Sequence, residues 1–334
     1  MYVSVRDIPS AKKLLKIYNI RYIDYGTKSD SLLKKSLKQL KYDWTLRNIV
    51  NELKIDVGIG TSITIAHVSK LTRMKSFILD DDDSDVEPLF ANFAHPFCDY
   101  LLSPDVLNYE RNKPNCITYP GYHELAYLHP KRFNPDSEVL KEIGIEKGQK
   151  YFIMRFNAFK AHHDIGVKGF SQGQKRQIIS RLEKEGKVFI TTETEIEKEF
   201  EKYKLNISPE KIFSVLSYAT LFIGDSQTMT NEAAVLGTPS IRLNSFVNRI
   251  SYLKEQEEKY KLAFGFKPEE FNKMLLKVDE LLNMPDLGGI WLNRRKKMLS
   301  EKIDVTKFLV ELIDNYPNSL LRTKKDSDYY LNFE

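Results

Sequence analysis

Residues 221–239, LFIGDSQTMTNEAAVLGTP, hold the side chains best spaced for chemistry. An apolar strand, Ala219 to Ile223, runs into Gly224-Asp225-Ser226 and then a helix that carries Glu232 and stops at Gly237-Thr238-Pro239. The first turn of a helix leaves backbone N–H groups unpaired and carries the positive end of the helix dipole. A strand that ends at such a turn therefore makes an anion site. Ser226 or Thr228 can cap that turn, or donate to a phosphate oxygen together with the Gln227 between them. With a helix starting near Thr228, Glu232 lies one turn further in on the same side. Its carboxylate could accept two ribose hydroxyls while the N–H groups hold a diphosphate. The plainer reading is an ordinary βα unit with Glu232 on a solvated face.

A second constellation is 155–171, RFNAFKAHHDIGVKGFS, which follows the first strand of what reads as a second domain. In doubly wound folds ligands bind outside the carboxyl ends of strands, which puts this loop at a cleft. Arg155, Asn157 and Lys168 are candidates for holding a phosphate-bearing ligand. Arg155 or Lys168 could neutralise charge on a departing nucleoside diphosphate. His163 and Asp164 come nearest to an oriented imidazole base; the alternative is a loop whose histidines satisfy buried carbonyls. A metal reading of His162-His163-Asp164 is weaker, because adjacent histidines on an extended segment point oppositely.

Three further turns qualify. In Tyr119-Pro120-Gly121-Tyr122-His123-Glu124-Leu125, His123 and Glu124 could approach a sugar from the first-domain side, or the segment is a hinge whose aromatic residues pack. The run Asp80-Asp81-Asp82-Asp83, with Asp85 and Glu87, follows a strand, so that Asp80 or Asp81 could face the cleft and hold a metal. The simpler reading is a solvated loop capping the next helix. Gly58-Ile59-Gly60-Thr61-Ser62, with His67 one turn on, is a strand-to-helix turn that could meet an acceptor. The expectation is no bound metal and no cofactor.

The elements that must position these groups alternate short apolar runs with helix-period segments, the pattern of an α/β fold with parallel strands. Strands are expected at Tyr2–Val5, Arg21–Ile23, Val57–Ile59, Lys75–Leu79, Tyr100–Leu102 and Cys116–Tyr119, with helices near 8–19, 30–53, 62–73 and 88–97 between them. Residues 129–149 read as a connection. A second set follows: strands at Tyr151–Arg155, Val188–Thr191 and Ser240–Leu243, and helices near 172–185, 194–202, 208–217, 251–262, 267–282 and 288–315. The tail after Tyr316 is polar. Leu33, Leu37, Leu40 and Trp44 recur at helical spacing beside Lys34, Lys35, Lys38 and Lys41. Such a basic amphipathic helix could touch a membrane carrying a lipid-linked acceptor, or its stripe packs on its own sheet.

Composition sets the outer limits. The 334 residues leave room for two domains, and 42% hydrophobic with 29% charged residues is globular composition. No apolar run approaches the roughly 20 residues that span a bilayer, and MYVSVRDIPS lacks a signal-peptide pattern. Cys98 and Cys116 make neither a disulfide framework nor a metal spacing. The net charge of +5 is too diffuse for nucleic acid but compatible with phosphate-bearing ligands or an anionic membrane. The expected location is cytoplasmic, with peripheral contact at the inner face of the membrane as an option.

Gly224 through Pro239 resembles the nucleotide-binding motif of non-hydrolysing UDP-N-acetylglucosamine 2-epimerases and related GT-B glycosyltransferases. Asp225, Ser226, Glu232, Ala233, Leu236, Gly237 and Pro239 fall in register, while Gln227 and Thr228 stand where the motif has glycines. The resemblance implies a diphosphate at Ser226 and Thr228 and a ribose at Glu232. The stretches 119–128, 155–171, 223–239 and 303–306 resemble the family called domain of unknown function 354, which is GT-B-like.

The implied fold is two Rossmann-like doubly wound domains facing a central cleft. An N-terminal acceptor-side domain would occupy 1–135 and a nucleotide-sugar domain 148–290, with a helix at 291–316 crossing back. Relatives carry a strand–Gly/His–helix unit ahead of the segment matching VSVRD. Met1 stands almost inside the second strand, and a sheet without its first strand should leave neighbours unpaired. The implied reaction is metal-independent transfer from a UDP-sugar to a sugar or lipid-linked acceptor in polysaccharide synthesis. The alternatives are 2-epimerisation, for which Arg155-Phe156-Asn157-Ala158 and Ile59-Gly60-Thr61 lack two expected groups, and an inactive nucleotide-sugar-binding relative.

Overall fold

Unbroken apolar runs such as Phe152-Ile153-Met154 and Leu221-Phe222-Ile223 suit parallel strands covered on both faces, and these residues are fully buried. The computed structural model describes residues 1–6, 8–26, 32–146, 148–156, 169–192, 196–325 and 329–333. They form two compact units, Met1–Tyr119 and Pro120–Glu334.

The first unit runs β1 (Val3–Val5), α1 (Pro9–Ile17), β2 (Tyr22–Asp24), α2 (Leu32–Leu53), β3 (Val57–Gly60), α3 (Ile63–Ser69), β4 (Lys75–Leu79), α4 (Pro88–Phe93), β5 (Tyr100–Pro104) and β6 (Cys116–Tyr119). Its strands fall into two parallel sheets, β1-β2 and β3-β4-β5-β6. Ala66, Ile78, Ala94, Cys98 and Leu101 pack on one another beside the larger sheet, and Leu46, Val50, Val68 and Met74 form a second cluster. On α2, Tyr42, Leu46 and Val50 turn inward. Leu40 and Trp44 do not: they are 66% and 63% exposed, so this part of the helix's apolar stripe does not pack on its own sheet.

The second unit runs α5 (Leu125–Leu128), α6 (Val139–Glu142), β7 (Tyr151–Arg155), α7 (Gln172–Leu182), β8 (Lys187–Thr191), α8 (Ile212–Tyr218), β9 (Leu221–Gly224), α9 (Gln227–Leu236), β10 (Ser240–Leu243), α10 (Ser251–Glu258), β11 (Ala263–Phe266), α11 (Phe271–Leu282), α12 (Leu287–Leu299), α13 (Val305–Asp314) and α14 (Asn318–Lys325). One parallel sheet has the order β11-β10-β9-β7-β8.

Several boundaries differ from the sequence reading. Over 194–202 the described residues form a 3-10 segment, Lys198–Tyr203, and Ala263–Phe266 is a strand at the sheet edge. The run 288–315 is two helices, broken where the Asp304 side chain caps α13 by accepting from the Lys307 N–H at 3.0 Å. The division falls at Tyr119–Pro120, ahead of the 129–149 connection, because residues 120–132 are tied to the second unit. The Pro120 carbonyl accepts from the Ile303 N–H at 2.9 Å, the Tyr122 hydroxyl bonds Glu255, and Arg132 Nε donates to both Asp304 carboxylate oxygens. Thus residues 120–132 and 303–306, far apart in sequence, stand in contact.

Helix α9 ends in a left-handed cap. Gly237 has φ +85°, and a Cβ there would lie 2.8 Å from Arg295 Cδ. Arg295 cannot easily yield, since its Nε donates to the Val235 carbonyl at 2.8 Å and so covers the helix's last carbonyls. Gly237→Ala is expected to cost about 1–2 kcal/mol in urea unfolding. An unchanged midpoint would show that this cap can relax freely.

Candidate functional site

The strand order of the second unit reverses between β7 and β9, and in such sheets a crevice opens outside the carboxyl ends of the two strands at the reversal. β7 ends at Arg155 and β9 at Gly224, and these residues are register partners. A Cβ on Gly224 would sit 2.7 Å from the Arg155 carbonyl oxygen, so only glycine lets the two strand ends approach this closely. The Asp225 N–H donates to the same carbonyl at 3.1 Å. The Asp225 carbonyl in turn accepts from Asn244 Nδ2 at 2.9 Å, which fixes the turn from below.

Helix α9 starts at Gln227, one residue ahead of the expected Thr228, because Ser226 is its cap. The Ser226 Oγ accepts from the Met229 N–H at 3.3 Å, and its carbonyl accepts from Thr230 Oγ1 at 2.6 Å. Among the described residues the N–H groups of Gln227 and Thr228 find no acceptor. Gln227 is half-buried and Thr228 exposed, so among the described residues no side chain caps these two N–H groups at the positive end of the helix.

Glu232 lies one turn beyond Thr228 and is half-buried, not on a solvated face. Its Oε1 accepts from the Tyr127 hydroxyl at 3.0 Å. Burial pushes the Glu232 carboxyl up to about 7, against the Tyr127 hydrogen bond and the nearby positive charge of Arg155, which both favour its ionised form. Arg155 Nη1 donates to Thr191 Oγ1 at 3.3 Å, at the end of β8. The structure thus brings together Arg155, Ser226, Gln227, Thr228 and Glu232. Sequence reasoning missed Tyr127: nothing in YHELAYL marks the third residue of α5 as a partner for a carboxylate 105 positions away.

Glu124 is only 3% exposed. Its Oε2 accepts from Asn231 Nδ2 at 2.5 Å, and the Asn231 Oδ1 accepts from Gln256 Nε2. This carboxylate therefore lies in an interior polar chain directly behind the Glu232 turn. His123 is half-buried beside it, and Tyr122 is buried. Lys302, itself buried, pairs with Glu255 at 2.9 Å and lies over the Tyr122 ring. Asn157, His163, Asp164 and Lys168, with Lys160 and His162, lie outside the described residues.

The first unit carries the other polar cluster, at the carboxyl end of β4. The acidic run is not the solvated loop of the simpler sequence reading. Asp80 is buried, accepting from Arg111 Nη2 at 2.9 Å and pairing with His95 Nε2 at 2.7 Å, and buried Asp83 accepts from the Tyr109 hydroxyl. Helix α4 begins without a side-chain cap. Asp80, Asp81 and Asp82 offer carboxylate oxygens within 4.8 Å of one another, a spacing that could hold a cation. Burial first, then the neighbouring Asp81 and Asp80, push Asp82 up to about 8. His95 and Arg111 gave no signal in the sequence, because their partner is fixed only by the pairing of β4 with β5.

The raised Glu232 pKa links stability to pH. The unfolded chain loses this proton near 4.5, the folded chain near 7, so the stability this group contributes is complete below 4.5 and lost as pH rises through about 7. Glu232→Gln, which mimics the protonated form, should match wild type near the lower value. Above the upper value it should be more stable by no more than about 3 kcal/mol. Urea unfolding of both proteins across this range checks it; a constant difference between them would mean that Glu232 is solvated.

A family model described as "Protein of unknown function (DUF354)" matches residues 1–317. Solved structures with the same fold include a candidate UDP-N-acetylglucosamine 2-epimerase from Listeria monocytogenes. It is 12% identical, with TM-score 0.64 over 95% of this chain and 89% of that one. A kitacinnamycin glycosyltransferase is 11% identical, with TM-score 0.58 over 96% and 92% of the two chains. A UDP-N-acetylglucosamine 2-epimerase of Methanocaldococcus jannaschii, solved with UDP-N-acetylglucosamine and UDP, is 12% identical, with TM-score 0.55 over 82% of each. At these identities the likeness is one of fold: a GT-B-like α/β architecture of two Rossmann-like domains. Among the described residues no helix is long and apolar enough to cross a membrane.

Proposed function

The chain belongs to the DUF354 family, and from that premise we propose that it is a GT-B-type glycosyltransferase that takes a nucleotide-sugar, a UDP-sugar, as donor. One observation carries this reading: a helix N-terminus at the β7–β9 reversal whose Gln227 and Thr228 N–H groups find no acceptor among the described residues, with the Glu232 carboxylate one turn in and Arg155 beside it. The diphosphate would accept from the Gln227 and Thr228 N–H groups, in the field of the helix dipole. The Glu232 carboxylate would accept the two ribose hydroxyls, held at one oxygen by Tyr127. Arg155 would stabilise the charge that grows on the diphosphate as the sugar leaves, the chief demand on such a step. Asn157 and Lys168 would complete the donor site, with His163 and Asp164, or His123, as the base for an acceptor hydroxyl. Glu124 would hold the helix rather than touch the sugar. The acceptor would be a sugar or a lipid-linked sugar in cell-surface polysaccharide synthesis, at the cytoplasmic side.

A second reading has its own support. The fold shared with the Listeria monocytogenes structure, at TM-score 0.64, would suit 2-epimerisation. An inactive nucleotide-sugar-binding relative is the third. Incubation with UDP-N-acetylglucosamine in deuterated water separates them. Transfer leaves the C2 proton of the sugar untouched and requires an acceptor, which is the expected result. Deuterium at C2 without an acceptor would replace transfer by epimerisation, and UDP binding with neither outcome across acceptors would leave the binding protein.

A further inference from the structure

We infer that the outer face of α2 is a docking surface for an anionic lipid bilayer. Leu40 and Trp44, one turn apart, are 66% and 63% exposed, although the helix buries Tyr42, Leu46 and Val50 on its other side. Leaving a leucine and a tryptophan in water on adjacent turns forgoes burial that this helix achieves elsewhere, so the face is suited to a partner. Its charge says which. Between residues 38 and 51 the helix carries Lys38, Lys41 and Arg47, with Arg47 lying over the Trp44 ring at 5.1 Å from its centroid. Of the two acids among the described side chains of the helix, Asp43 turns inward, where it bonds His67 Nδ1 at 2.9 Å and Gln39 Nε2 at 2.7 Å, and exposed Glu52 lies two turns beyond Trp44 near the helix end. What faces outward around Leu40 and Trp44 is an apolar pair beside two cations, Lys41 and Arg47.

A second copy of this chain fits this face poorly. A two-fold contact would bring the cations of one copy against those of the other. A bilayer with anionic headgroups satisfies both features at once: Lys and Arg pair with phosphates while Leu40 and Trp44 enter the headgroup boundary. The inference stands on α2 alone and does not depend on the donor site of the second unit.

The chain has two tryptophans, which makes the test direct. Trp44 is exposed, whereas Trp291 is fully buried, its Nε1 donating to the Leu262 carbonyl at 2.9 Å. With the full-length protein, vesicles of phosphatidylcholine containing phosphatidylglycerol should shift tryptophan emission to the blue and carry the protein upward on flotation. Vesicles of phosphatidylcholine alone should do neither. The paired change Lys41→Gln with Arg47→Gln should weaken flotation about thirtyfold, and Leu40→Gln with Trp44→Gln by at least as much. Trp291 emission and far-ultraviolet dichroism report that each variant is folded. Failure of wild type to float on anionic vesicles would overturn the inference. So would flotation unchanged in both folded variants, or a dimer in sedimentation that the Leu40 and Trp44 changes dissociate.

Discussion

Glu232→Ala should weaken UDP binding about a hundredfold, read by calorimetry. Glu232 lies one turn into α9, on the side of the Gln227 and Thr228 N–H groups, so a diphosphate on those groups places its ribose against this carboxylate. Two charge-assisted hydrogen bonds from ribose hydroxyls would be lost with the side chain, each contributing on the order of 1.5 kcal/mol. Glu232→Gln should fall between, since the amide oxygen still accepts but carries no charge. Tyr127→Phe serves as a control: it removes the hydroxyl that now bonds Glu232 Oε1 and leaves the carboxylate in place, so binding should change severalfold at most. Equal affinities for wild type and Glu232→Ala would remove the ribose from this position.

Asn231→Leu should destabilise the fold by about 3–5 kcal/mol, with the loss read from urea unfolding. Asn231 is fully buried and stands between the Glu124 carboxylate and Gln256. Removing the amide takes away a donor that bonds Glu124 in the interior, and a buried carboxylate that loses such a donor costs more than an ordinary hydrogen bond. A second change isolates this cause. Glu124→Leu added to Asn231→Leu should recover part of the loss, because two apolar residues meet where a charge stood. If the double variant is less stable than Asn231→Leu alone, Glu124 has support that this pairing does not supply. The same network adjoins the helix turn that carries Glu232.

Those two predictions draw on different depths of the sequence. The strand–turn–helix of 221–239 was legible because its signals are local: a continuous apolar run, a Gly at the strand end, a Ser able to cap, a Gly-x-Pro stop. Most strands were legible for the same reason. Helix α12 and helix α13 merged into one because their amphipathic patterns continue across Ser300–Asp304, and only the cap at Asp304 breaks them. The strand Ala263–Phe266 escaped because four residues with a central Gly give no alternation, and only its pairing with β10 defines it.

The polar partners were not legible at all. Glu124 meets Asn231, Glu232 meets Tyr127, and Asp80 meets Arg111 and His95 through the order in which strands pair, which no local spacing encodes. The stripe on α2 shows the opposite failure. Its period was evident, but periodicity alone could not tell whether Leu40 and Trp44 face the protein or the solvent.

The central claim is that a nucleoside diphosphate rests on the amino end of α9. A crystal structure of the protein with UDP tests it most directly. The expected result is the diphosphate within hydrogen-bond reach of the Gln227 and Thr228 N–H groups and the ribose hydroxyls on Glu232. UDP bound elsewhere, with that helix end facing only water, would contradict it.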